Sequence, residues 1–320
     1  MKNIKLINLR ALTILLVVLG HSIILYSPKW GIYQTTKQVY ILELLKDIIN
    51  IIQMPIFFAI SGYLFYKTIQ KNLSFIKFSI NKLKRLIIPF CIVGIFWMIP
   101  IKLSINYYQS SNFFHIVKEF LIGNDVGHLW YVVVLFLIFI LMFLLKEIIK
   151  GKNVIKDIII TLILLLVSIT STKISIHFYL VQTMNYAFYF YIGILLNKYE
   201  EIINHKKHQW LKLAIPLTLL SMIITIYFES EILTYWTACL TIIVLYEILP
   251  NRTNKILNLI SDNSFGIYLL HSPLVYITYA HLSNASPIIV VGLNFIVFGS
   301  IALLLTIIIR KIKLGFIIGE

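Results

Sequence analysis

The 320-residue chain is 59% hydrophobic, carries only 13% charged residues and has a mean hydropathy of +0.90, which excludes an ordinary soluble domain, where about 45–50% of residues are apolar and about 25% charged. Its formal net charge of +15 is read as lysines and arginines gathered in loops that face an anionic lipid leaflet, not as a nucleic-acid surface. The only two cysteines, Cys91 and Cys239, sit inside apolar runs, which argues against a disulfide framework and against a cysteine metal site.

Apolar stretches able to cross about 30 Å of hydrocarbon fall near 6–26, 44–66, 86–105, 128–146, 154–172, 178–197, 210–228, 231–249, 265–281 and 287–309. The expected fold is therefore all-α, a polytopic transmembrane helix bundle of about ten spans. The basic start followed by an apolar run resembles a signal peptide. Arg10 interrupts that run and no small-x-small cleavage site follows it, so the stretch is read as a retained first span.

An even number of spans puts both termini on one side. Twenty-two lysines and arginines fall at the termini and in alternate loops, against six (Lys29, Lys37, Lys46, Lys102, Lys118 and Lys173) in the others. The positive-inside rule then makes both termini cytoplasmic. The external loop 106–127 is polar and aromatic, and Phe113 to Leu121 within it has the pattern of an interfacial helix. No internal repeat interrupts the pattern, and residues 1–320 read as a single membrane-embedded domain whose chemistry lies in the bundle and its short loops.

Five stretches carry polar or ionisable residues where a plain anchor would have none. In the first, Arg10 and His21 are eleven residues apart, a rotation of about 1,100° that brings them within roughly 20° of one helix face and about 16 Å apart along it. Intramembrane ionisable residues are costly and mark function. A guanidinium at the inner face suits bidentate phosphate contact, and an imidazole suits proton removal from a hydroxyl near neutral pH.

The second, Phe57 to Phe65, contains Ser61-Gly62, which reads either as a close helix approach or, through Ser61, as a polar contact to a ligand at the cytoplasmic mouth. In the third, Lys82 to Phe90, Arg85 directly precedes an apolar run with Pro89 four residues on. It joins Arg10 in a vestibule suited to an anionic cofactor. The fourth, Gly127 to Phe136, places His128, Trp130 and Tyr131 at the outer start of a span. The pair of aromatics fits an interface belt or a rim that stacks on sugars; His128 could orient His21, with Asp125 as its partner. The fifth, Ser264 to Pro273, contains His271, which reads either as a core histidine bonded to a carbonyl or as a cavity-lining group beside carbonyls freed by Ser272-Pro273. No histidine, cysteine or carboxylate cluster has metal-ligand spacing.

Taken in order, Arg10-x10-His21, Phe57-Phe58-x-x-Ser61-Gly62-Tyr63-Leu64, Arg85 with Pro89, Leu129-Trp130-Tyr131 and Ser264-Phe265-Gly266-Ile267-Tyr268-Leu269-Leu270-His271 resemble the acyltransferase-3 family of integral membrane acyltransferases over nearly the whole chain. The resemblance implies transfer of an acyl group, most often acetyl, from cytoplasmic acyl-CoA to a hydroxyl of an extracytoplasmic or lipid-linked glycan. It makes His21 the catalytic histidine and Arg10 its partner facing the CoA side. Ser61 and Arg85 match donor-site positions, and His128, Trp130, Tyr131 and His271 are candidates for contact with the acceptor. The form without a fused extracellular domain resembles capsular and exopolysaccharide O-acetyltransferases and intercellular-adhesin-type proteins of Gram-positive bacteria. The expected surroundings are a bacterial plasma membrane, acetyl-CoA as donor, a glycan acceptor and membrane lipids, without nucleic acid or metal. Where the family often carries an acid three residues before the arginine, this chain has Ile7, followed by Asn8. A polysaccharide or small-solute transporter is the competing class, since such pathways also use intramembrane Arg and His.

Overall fold

In a computed structural model that describes residues 3–27, 38–108, 112–205, 207–282 and 284–320, no strand occurs among the described residues and most of them are helical. Lys2, Lys29, Lys37 and Lys206 of the charge pattern, and residues 109–111 of the external loop, lie outside the described residues.

The principal helices are α1 (Ile4–Ile23), α2 (Tyr40–Ile69), α3 (Phe75–Ser104), α4 (Phe113–Leu121), α5 (Trp130–Leu144) and α6 (Val154–Ser171). They continue as α7 (Phe178–Lys198), α8 (Lys207–Phe228), α9 (Glu231–Ile248), α10 (Ser264–Leu282) and α11 (Pro287–Lys311). Each of the ten predicted apolar stretches coincides with one of them. Among the described residues, eight helices are long and apolar enough to cross a membrane. The two remaining, α7 and α10, have spanning length but carry Gln182, Asn185 and Asn197, or Ser264, His271 and Ser272. They tolerate polar residues because they are largely buried in protein, whereas few residues of α6 and α11 are buried.

Helix α3 starts earlier than hydropathy indicates, because the basic stretch Lys82–Arg85 is helical and not a loop. Within it the backbone widens into π-turns at Leu83–Ile87 and Gly94–Met98. Each is followed two residues later by a proline, Pro89 or Pro100, that has no N–H to offer the carbonyl four residues back. The predicted helix Phe113–Leu121 forms with those bounds. Asn112 caps it, its side-chain oxygen accepting from the Phe114 N–H at 3.0 Å. Ile116 and Phe120 are buried, and Phe120 stacks on Phe90 at 4.6 Å.

The chain divides into two compact units. Unit 1 comprises Met1–Arg10, Ile51–Asn81 and Val134–Thr253. In it α2 and α7 approach closely where glycines remove the side chains. A Cβ on Gly62 would overlap the Phe190 carbonyl, and one on Gly193 would overlap the backbone of Ala59. Lipid tails are as apolar as leucine, so helices in a membrane associate through such close packing and through polar contacts, not through apolar burial. The packing reading of Ser61-Gly62 therefore holds for Gly62. Gly62→Ala is expected to lower stability by about 1–3 kcal/mol, seen as a fall in the thermal midpoint of the detergent-solubilised protein; an unchanged midpoint would show that the helices part without cost.

Unit 1 also holds two polar networks. Asn3 donates to the hydroxyls of Tyr63 and Tyr246, both at 2.9 Å, and those tyrosines donate to Glu200 at 2.7 and 2.6 Å. Lys5 pairs with the buried Glu247 at 2.7 Å. Asn8, beside the expected acid position, donates to the carbonyls of Pro250 and Arg252 at 2.9 and 2.8 Å. The other network centres on Asp157 and Lys198.

Unit 2 comprises Ala11–Asn50, Lys82–Val133 and Asn254–Glu320. Its core is α10, in which every residue from Gly266 to Tyr276 is buried.

Candidate active site

The site in unit 2 begins with a proline. Pro273 has no N–H, so the Leu269 carbonyl one turn earlier has no intrahelical donor. His128 fills the gap: its Nε2 lies 3.1 Å from that carbonyl oxygen. A carbonyl only accepts, so Nε2 carries the proton and Nδ1 the lone pair. Trp97 donates through its indole N–H to the adjacent Leu270 carbonyl at 3.0 Å, and Tyr268 donates its hydroxyl to the His128 carbonyl. The short turn Gly127–Leu129 is thus fastened to α10 at two points, and His128 is 7% exposed.

His271 follows two residues after Leu269. Its Nδ1 lies 2.9 Å from the carbonyl oxygens of both Ile267 and Tyr268. The bonded-to-carbonyl reading of this histidine is therefore met. Its ring also reaches α1, where Nε2 lies 3.2 Å from Nδ1 of His21. His21 Nδ1 is itself 2.9 Å from the Val17 carbonyl one turn back. The three rings converge, with centroids 5.0 Å apart for His21–His271, 5.5 Å for His128–His271 and 6.1 Å for His21–His128. His271 is 2% exposed, while His21 keeps accessible surface. Tyr131 is buried against Tyr268, ring centroids 5.3 Å apart, and Trp130 beside it is half-buried. Three nitrogens of this cluster, one on each histidine, face backbone carbonyls as N–H donors and cannot also ligate a metal. Among the described residues no group of ligand-type side chains has metal-binding geometry.

The sequence profile of the acyltransferase-3 family, described as an acyltransferase domain, matches residues 3–310. The chain belongs to that family. No curated protein and no solved structure matches it. Membership makes this an acyltransferase and a multi-pass membrane protein. The convergence of histidines from α1, from the Gly127–Leu129 turn and from α10 is the feature of unit 2 best suited to the proton transfers that acyl transfer needs.

Other expected site residues lie elsewhere. Arg10 and Ser61 belong to unit 1 and are half-buried; Arg10 sits on the same unbroken helix as His21, three turns earlier. Arg85 is exposed in unit 2, and its Nε donates to the Gly319 carbonyl at 3.1 Å. Asp125 is not the partner of His128. Its two oxygens accept from Lys102 at 2.6 Å and from Tyr108 at 2.7 Å, because the fully buried Lys102 ammonium requires a counter-charge more than a neutral imidazole does. Burial, and then the Asp125 carboxylate, push the Tyr108 hydroxyl well above the usual tyrosine range, which keeps it a donor. Trp97 and Tyr268 received no role from sequence. The signal for a donor such as Trp97 was Pro273, which predicts carbonyls in need of partners without naming them.

Proposed function

We propose that this chain is a membrane O-acyltransferase that moves an acyl group, acetyl first, from cytoplasmic acyl-CoA to a hydroxyl of a cell-surface or lipid-linked polysaccharide at the bacterial plasma membrane. The observation that carries the reading is the state of His21. Its Nδ1 is tied to the Val17 carbonyl and so holds the proton, which leaves Nε2 as the basic nitrogen of a residue that is only half-buried. His21 would take the proton of the acceptor hydroxyl as that oxygen attacks the thioester.

In this reading the chain is a single functional domain of ten spans with both termini cytoplasmic. Arg10 and Arg85 bind the donor phosphates as planar forks, and Ser61 adds a polar contact. The pantetheine arm runs along the length of α1 between Arg10 and His21. Trp130 and Tyr131 with His128 and His271 form the acceptor side, Trp130 being the one with surface to stack on a sugar ring. No metal or nucleic acid takes part.

The test is the purified protein in proteoliposomes with [14C]acetyl-CoA outside and de-O-acylated cell-surface polysaccharide of the producing cells inside. Label in the polysaccharide is the expected result. Polysaccharide or solute flux without transfer of label would overturn the proposal and favour a transporter. In the same preparation Arg10→Ala is expected to weaken acetyl-CoA binding by about tenfold or more, the worth of a charge-assisted hydrogen bond. Unchanged affinity by calorimetry would remove Arg10 from the donor site.

A further inference from the structure

We infer that His271 is a positioning residue for this reaction, a neutral imidazole that accepts a hydrogen bond from the back of the His21 ring where general-base histidines elsewhere often keep a carboxylate. The inference rests on His21 being the base. Its argument is one of donors and acceptors. His271 Nδ1 faces two carbonyl oxygens, of Ile267 and Tyr268, each at 2.9 Å, and carbonyls only accept, so Nδ1 carries the hydrogen. The neutral ring then has its lone pair on Nε2, which lies 3.2 Å from His21 Nδ1. His21 Nδ1 must carry a hydrogen for the Val17 carbonyl at 2.9 Å, and it shares that hydrogen with His271 Nε2. The α10 backbone thereby sets the tautomer of His271 and supplies a second acceptor behind His21.

The arrangement matters when charge appears. As His21 Nε2 takes the hydroxyl proton, the acceptor oxygen forms its bond to the thioester carbonyl carbon. The carbon–sulfur bond then breaks, and the proton passes from Nε2 to the departing CoA sulfur. Between those events His21 is an imidazolium, and its Nδ1–H bond to His271 becomes charge-assisted. The other ionisable groups that bear on His21 are His128 and Lys46, both basic. Besides the Val17 carbonyl, the buried lone pair of His271 is thus a stabilising partner for that charge, and at 2% exposure water does not substitute for it.

Two conservative variants separate this role from a structural one. In His271→Asn the amide reaches where Nδ1 stood and keeps a donor for the α10 carbonyls, but loses the acceptor toward His21. In His271→Gln the amide oxygen reaches where Nε2 stood and keeps that acceptor. With [14C]acetyl-CoA and the de-O-acylated polysaccharide, Asn is expected to lower kcat by about 10- to 100-fold, the worth of one hydrogen bond to a charged group, with the KM for acetyl-CoA unchanged, and Gln to recover most of it. A structural role predicts the reverse order. Asn equal to or better than Gln overturns the inference, whether both are active or both are not. Transfer retained by His21→Ala would overturn the base assignment instead, by a separate measurement.

Discussion

Replacing His21 with alanine is expected to reduce acyl transfer by about 10²–10⁴-fold, the usual contribution of a positioned general base, while acetyl-CoA binding changes little. Both halves of the expectation follow from the geometry. The ring is held from one side, by Val17 and His271 at Nδ1, so its Nε2 is the basic atom the cluster presents. Removing it leaves His128 and His271, whose carbonyl-facing nitrogens are committed to Leu269 and to Ile267 and Tyr268. Their other nitrogens keep lone pairs, but both side chains are buried, so an acceptor hydroxyl does not reach them as it reaches His21. Binding is spared because alanine at position 21 keeps a good helix former in α1 and leaves Arg10, three turns away, untouched. Transfer is measured as polysaccharide-bound label per folded molecule and binding by calorimetry. Near-normal transfer at normal expression would remove the histidine base from the mechanism.

The fold was legible because the ten apolar stretches are long and separated by polar turns. Stretches 154–172 and 231–249 end within one residue of α6 and α9. The helix at Phe113–Leu121 was legible for the opposite reason, its short interfacial pattern within a polar, aromatic loop. The start of α3 was misplaced because charge was taken for loop, although lysine and arginine are good helix formers. The candidate residues Arg10, His21, His128 and His271 stood out as costly groups in apolar surroundings. Their convergence did not, since His21 and His271 are 250 residues apart and hydropathy contains no pairing information. Charge counting failed in the same way at individual lysines. Lys46 and Lys102 were assigned to outer loops and Lys5 and Lys198 to inner ones, yet all four are buried. Such counting treats every lysine as solvated, while the carboxylates that hold Lys5 and Lys198 come from distant segments.

Asp157 is where that blindness has the largest energetic consequence, and Asp157→Ala is expected to destabilise the protein by about 3–5 kcal/mol. One oxygen accepts from Tyr191 at 2.7 Å and Lys198 at 2.8 Å, the other from Tyr199 at 2.5 Å and Lys198 at 2.7 Å. Lys198 completes its own set with the Ile149 carbonyl at 2.9 Å. Burial, and then the Asp157 carboxylate, push the Tyr199 hydroxyl up to about 12, so it remains a donor across the physiological range. The intact network gains little over apolar packing, because both charges were taken out of water to form it. Removing one partner is different. The ammonium of Lys198, whose side chain has no accessible surface, is left without its counter-charge, and two tyrosine hydroxyls lose their acceptor. The double variant Asp157→Ala/Lys198→Met removes both charges and is expected to recover more than half of the loss. Unfolding in mixed detergent–SDS micelles, followed by circular dichroism, measures all three proteins. A single variant within about 1 kcal/mol of the natural protein would mean that water reaches Lys198 and the pair is not a buried one, and a double variant no better than the single would place the cost in the tyrosines and not in the orphaned charge.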